Sequence, residues 1–206
     1  MTTGADLLAL SPVVPVVVLD EVTHAVPVAE ALLRGGIGVI EVTLRTPVAL
    51  AAVAAIAAAV PDLVVGAGTI TAPEHARQAA DAGARFLVTP GCTEAVLDAV
   101  EATGLPFLPG AATVSEAMRL AERGLTALKF FPAEAAGGVD YLRSIGGPLP
   151  GLRFCPTGGI TPDSAPKYLA LPNVGCVGGS WLTPKAALAA GDWAQVEALA
   201  KQAAAL

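Results

Sequence analysis

A lone lysine, Lys129, stands inside TALKFFPAE (residues 126–134), a run that otherwise reads as a strand buried on both faces. An isolated ammonium is too costly to bury without a partner. The position therefore implies an ion pair, an amine at the mouth of a cavity, or a segment that is not a buried strand. The stretch VIEVTLR (39–45) supplies matching groups. Strand side chains alternate between faces, so Glu41, Thr43 and Arg45 share one parity. With Val42 and Leu44 turned outward, Glu41 and Arg45 point inward together, and the opposite charges, joined by Lys129, offset much of one another's burial cost. Two chemistries fit. One is a structural salt-bridge network. The other is nucleophilic: an amine beside a second cation in a partly dry pocket gives up its proton more readily and attacks carbonyls, with Glu41 as general acid and base.

A second chemistry, anion binding, is suggested by PTGGIT (156–161) and VGGSW (177–181). Each places two glycines at a strand end, where backbone N–H groups can approach a phosphate closely. A tight turn would use the same residues, but in a (β/α)8 barrel the loops after strands seven and eight are a frequent phosphate cradle. Ser180 adds a hydroxyl donor.

These residues need a scaffold that brings strand ends together. Short Val-rich runs alternate with Ala-, Leu-, Glu- and Arg-rich amphipathic stretches, the pattern of parallel strands joined by helices. Eight strands are expected, at Val13–Leu19, Val39–Leu44, Leu63–Gly66, Arg85–Thr89, Phe107–Pro109, Ala127–Phe131, Arg153–Pro156 and Gly175–Val177. Helices are expected near 22–34, 48–59, 73–82, 93–103, 115–123, 138–145, 162–170 and 192–204. Thr161 before Pro162 reads as a helix start, and Gly35–Gly36, Gly83, Gly104 and Gly124 as helix ends. Polar or glycine-rich features recur at one end of at least five strands, which favours a single-domain (β/α)8 barrel over an open doubly wound sheet. The expected domain spans 1–206, with a short N-terminal lead-in and the helix at 192–204 closing it.

Composition narrows the function classes. The 206 residues are 54% hydrophobic and 15% charged, with a net charge of −6. That excludes disorder and gives no electrostatic footprint for nucleic acid or an anionic membrane surface. The apolar run Val48–Val60 is too short to span a bilayer. No Lys or Arg precedes the first apolar stretch, so no secretory signal is expected and the protein is expected to be cytoplasmic. Cys92, Cys155 and Cys176 show no C-x-x-C pairing and read as small core residues. His24 and His75 stand apart, and no metal site is expected.

Five segments in order and spacing, EVTLRTP (41–47), VGAGT (65–69), LKFFPAE (128–134), CPTGGI (155–160) and GGSWL (178–182), resemble the 2-keto-3-deoxy-6-phosphogluconate (KDPG) aldolase family, which includes 4-hydroxy-2-oxoglutarate (KHG) aldolases. The resemblance runs from about Val13 to Trp193. It implies a class I aldolase on a (β/α)8 barrel, without metal or cofactor, that forms an imine with pyruvate and cleaves a 2-keto-4-hydroxy acid, phosphorylated in KDPG. It implies Lys129 as the imine-forming amine and Glu41 as the proton shuttle. Arg45 and Thr69 match the residues that hold the pyruvate carboxylate, and Pro90 and Phe131 those that line the pocket. Thr157, Gly158, Gly159, Gly179 and Ser180 match the phosphate end. A homotrimer is the assembly implied. The sequence departs from the pattern at Val18, where some members carry an arginine that neutralises the phosphate. This leaves KDPG and KHG both open as substrate. Two readings outside the resemblance also stand: a phosphate-binding isomerase that uses acid/base chemistry without an imine, and a noncatalytic barrel with Glu41, Arg45 and Lys129 as a structural triad.

Overall fold

A computed structural model describes residues 3–206. Val-rich segments form parallel strands β1 (Val13–Val17), β2 (Val39–Thr43) and β3 (Val64–Gly68), followed by short β4 (Leu87–Val88) and β5 (Phe107–Leu108). Then come β6 (Gly110–Ala111), β7 (Ala127–Phe130), β8 (Arg153–Pro156) and β9 (Val177–Gly179). One sheet has the order β5-β4-β3-β2-β1-β9 and the other β6-β7-β8, and every pairing is parallel. Every residue of β1 and β2 is buried, as expected of strands with a helix layer on one face and an interior on the other. The result is an α/β unit with a curled parallel sheet. Among the described residues, no helix is long and apolar enough to cross a membrane.

Several elements differ from the sequence expectation. The expected fifth strand, Phe107–Pro109, is split into β5 and β6 at Pro109, which has no N–H to donate to a ladder; the carbonyl of Pro109 still accepts from Lys129 N at 2.8 Å. The last strand lies two residues later than expected, at Val177–Gly179, so the Gly178–Gly179 pair is part of the strand. The helix expected at 162–170 is shorter, Ala165–Leu169, because Thr161 and Ser164 clasp each other first: each backbone N–H donates to the other's hydroxyl, at 3.0 and 3.3 Å.

The helices are α1 (Gly4–Leu8), α2 (Ala25–Arg34), α3 (Ala49–Ala59), α4 (Pro73–Asp81) and α5 (Glu94–Ala102), then α6 (Val114–Glu122), α7 (Gly138–Ile145), α8 (Ala165–Leu169), α9 (Lys185–Ala190) and α10 (Trp193–Ala204). The short helices α1 and α9 are not anticipated by periodicity; five or six residues are too few to show a 3.6-residue repeat. Residues 22–24 form a 3-10 turn before α2. The start of α6 is set by Thr113 rather than Ser115: its hydroxyl accepts from Glu116 N, and the Glu116 carboxylate accepts from Thr113 N, a reciprocal cap.

Candidate active site

Among the described residues, one lysine and one glutamate are buried in the interior. Lys129 on β7 and Glu41 on β2 are each 3% exposed, and Lys129 Nζ lies 3.2 Å from Glu41 Oε1. Each ion is tolerated there because the other is present; removing one partner of such a pair leaves an uncompensated charge and costs several kcal/mol. Nζ also sits 5.5 Å from the centroid of the Phe131 ring. The space for the carboxylate is made by the neighbouring strand. A Cβ at Gly68 on β3 would lie 2.0 Å from Glu41 Oε1 and 2.6 Å from its Cδ, so a larger residue would displace the carboxylate. Gly66, two residues earlier and on the same face, similarly admits the Phe86 ring, whose Cζ would be 2.3 Å from a Cβ there.

Arg45 does not accompany Glu41 inside, contrary to the parity expectation. Strand β2 stops at Thr43, and Arg45 N donates back to Thr43 O at 2.8 Å, a tight turn that breaks the alternation. Arg45 is exposed at the rim, where its Nε donates to Thr69 Oγ1 at 3.3 Å. The charged group against Lys129 is thus a carboxylate and not a second cation. Thr69 has φ +63°, the left-handed conformation that a β-branched residue adopts at a cost, commonly at functional positions. Thr43 Oγ1 donates to Val17 O at 3.0 Å and Thr46 Oγ1 to Leu19 O at 2.6 Å, tying the exits of β1 and β2 together beneath this rim.

A cleft of about 120 Å³ opens at these strand ends. Arg45, Phe131, Thr157, Gly158, Gly159 and Ser180 from the sequence reading all line it. Val16 and Ile160, not foreseen from the sequence, line it as well, as do Val18 at the exit of β1 and Gly178 of VGGSW, where a Cβ would lie 2.2 Å from Thr157 Oγ1. Gly158 and Gly159 have φ of 104° and 81°, which require glycine. Gly179 and Pro90 are placed differently. Gly179 is buried under the Trp181 ring, 2.2 Å from where its Cβ would be, and the Pro90 backbone packs on Gly110.

The cysteines fall as expected for Cys155 and Cys176, both buried, whereas Cys92 is partly buried, with Sγ 2.9 Å from Thr89 Oγ1. Cys155 is the register partner of Lys129 on β8. A hydrogen bond with Cys176 holds the Cys155 thiol below the usual value, helped by the Lys129 charge, and the same bond pushes Cys176 well above it. His24 packs edge-on against Trp193 at 5.5 Å and is partly buried, not a free surface residue.

The chain matches the family model described as KDPG and KHG aldolase over residues 5–199. It is 52% identical to 2-dehydro-3-deoxy-phosphogluconate aldolase of Pseudoalteromonas atlantica, covering 96% of this chain and 92% of the relative. It is 50% identical to KHG/KDPG aldolase of Escherichia coli K12, covering 98% and 95%. Among solved structures it is similar to KDPG aldolase from Legionella pneumophila with pyruvate captured at low pH as a covalent carbinolamine intermediate: TM-score 0.96, 45% identity, 98% of both chains. A match of this extent, in sequence and in backbone, shows that the chain belongs to the KDPG and KHG aldolase family.

Proposed function

We propose that this protein is a class I aldolase that reversibly cleaves KDPG to pyruvate and glyceraldehyde 3-phosphate, and that it also takes KHG, giving pyruvate and glyoxylate. The observation that carries the reading is the buried Lys129–Glu41 contact at 3.2 Å, with Nζ 5.5 Å from the ring of Phe131, which lines the cleft walled by the glycine turns. The names of the relatives agree with it.

In the forward direction Glu41 takes a proton from Nζ, and the freed amine attacks the C2 keto carbon to form a carbinolamine. Glu41 returns the proton to the departing hydroxyl, which leaves as water, and a protonated imine remains. That imine draws electrons from the C3–C4 bond as Glu41, directly or through a water, removes the C4 hydroxyl proton. The aldehyde leaves, C3 of the enamine takes the proton back from Glu41, and hydrolysis releases pyruvate and restores Lys129. Arg45 and Thr69 hold the pyruvate carboxylate at the rim, and Phe131 packs against the keto acid. Thr157, Gly158, Gly159 and Ser180, which line the cleft, form the distal, phosphate end. With Val16 and Val18 on the opposing wall, phosphate is held by backbone N–H groups and Ser180 rather than by an arginine of the first strand.

We further propose that the strands close into one (β/α)8 barrel and that the chain is a single domain. Closure is supported by β5 and β6 belonging to one segment on either side of Pro109, and by parallel bridges Phe154↔Val174 and Thr157↔Gly178 between the β8 and β9 edges. A homotrimer, the assembly implied by the resemblance, and a cytoplasmic location belong to the same proposal.

The test is borohydride reduction in the presence of pyruvate. A stable adduct on Lys129 is expected, and Lys129→Arg abolishes both adduct and turnover, whereas acid/base isomerisation without an imine would survive that change in part. Active protein with an unmodified Lys129 overturns the reading.

A further inference from the structure

The turn that walls the distal end of the cleft, Gly158–Gly159, is built from residues with little conformational preference of their own. Something outside the turn must hold it. That contact comes from Glu134, on the segment leaving Lys129. Glu134 N donates to Gly158 O at 3.1 Å, and its neighbour Ala133 N donates to Thr157 O at 2.8 Å. The Glu134 Cβ and Cγ lie against Gly159, each 2.8 Å from where a Cβ of that residue would be. Glu134 is itself exposed, and a side chain on an exposed turn has many rotamers to choose from. One is selected by Tyr168 of α8, which is fully buried and donates from its hydroxyl to Glu134 Oε1 at 2.8 Å. The other oxygen, Oε2, faces Gly138 at the start of α7, 3.6 Å from a Cβ placed there. One carboxylate oxygen is thus held by the α8 phenol, and the other lies beside the start of α7. Burial, and then the carboxylate, push the Tyr168 phenol above its ordinary value, so it remains a donor.

We propose that Tyr168 is a positioning residue for the anion end of the substrate: through Glu134 it fixes the Gly158–Gly159 turn at the distance from Lys129 that a phosphorylated substrate requires. The proposal rests on the aldolase reading above. It assigns phosphate discrimination in part to a phenol that never touches substrate.

The experiment compares Tyr168→Phe and Glu134→Gln with the unmodified enzyme, using the full chain. Two quantities are read: KM for phosphorylated KDPG, and the pyruvate concentration that half-saturates borohydride trapping at Lys129. In Tyr168→Phe, KM for KDPG is expected to rise roughly tenfold, with kcat and pyruvate half-saturation little changed. Glu134→Gln keeps an oxygen to accept from the phenol and is expected to stay near the unmodified enzyme. Equal weakening of KDPG and pyruvate overturns the proposal, because it marks general loosening. So does an unchanged KM in Tyr168→Phe, and so does a Glu134→Gln variant that behaves like Tyr168→Phe, which would make charge, not the hydrogen bond, the cause. Failure of the aldolase reading is separate: it is the absence of any trapped adduct in the unmodified enzyme.

Discussion

Gly68→Ala adds one methyl group and is expected to remove most of the activity. The new Cβ would stand 2.0 Å from Glu41 Oε1 and 2.6 Å from Cδ and Cγ, against ordinary contact at 3.4–4 Å. The carboxylate must therefore retreat by well over an ångström. Starting from 3.2 Å to Lys129 Nζ, a retreat of that size away from Nζ takes Oε1 beyond hydrogen-bonding reach. A positioned general acid/base contributes about 10²–10⁴-fold, and a misplacement of about 1 Å costs on the order of 10²-fold. A fall in kcat of at least roughly 100-fold is expected from these two figures together. Overpacking costs about 1–3 kcal/mol, a drop in Tm of several degrees for a chain of this size, so the protein still folds. The assay follows pyruvate release for kcat and KM, with thermal unfolding in parallel. Adding Glu41→Asp shortens the side chain by one carbon, about 1.5 Å, and is expected to recover part of kcat in the Gly68→Ala background while lowering it in the unmodified one. A folded Gly68→Ala enzyme with kcat within about threefold of the unmodified protein would refute the argument that this void places the proton shuttle.

Two further outcomes test the scaffold. Thr113→Ala removes the hydroxyl that accepts from Glu116 N at the start of α6 and is expected to cost about 1 kcal/mol, read as a Tm lower by about 2–4 °C with kcat unchanged. The Ala112 N–H, then Thr113, hold the Glu116 carboxyl below its ordinary 4.5, so the charged form is favoured in the fold. That stability is fully present above pH 4.5 and is lost as pH falls through the lowered folded value; Glu116→Gln is therefore expected to flatten the acid side of a Tm-against-pH curve, and an unchanged slope would contradict the cap.

The elements around the site were legible because each carries a local signal. A strand such as VIEVT needs only its β-branched run, and the helix ends at Gly36, Gly83, Gly104 and Gly124 need only the left-handed backbone that glycine permits, with φ of 89°, 91°, 69° and 81°. Lys129 was conspicuous for an equally local reason, a charge in an apolar run. The short pieces α1, α9 and β6 carry too few residues for a period to show.

The amino-acid order alone put Glu41 and Lys129 forward as partners and the glycine turns as the expected anion end, since residue type and motif spacing are properties of the chain. Tertiary structure alone decided that Arg45 leaves the interior for the rim. A single tight bond from Arg45 N to Thr43 O ends the strand and, with it, the alternation that had placed the guanidinium inside. It alone also brought positions 68 and 134 into contact with the groups they adjoin. Excluded volume between Gly68 and Glu41, and the reach of Tyr168 to Glu134, are set by distances between segments remote in sequence, and no local pattern encodes a distance of that kind.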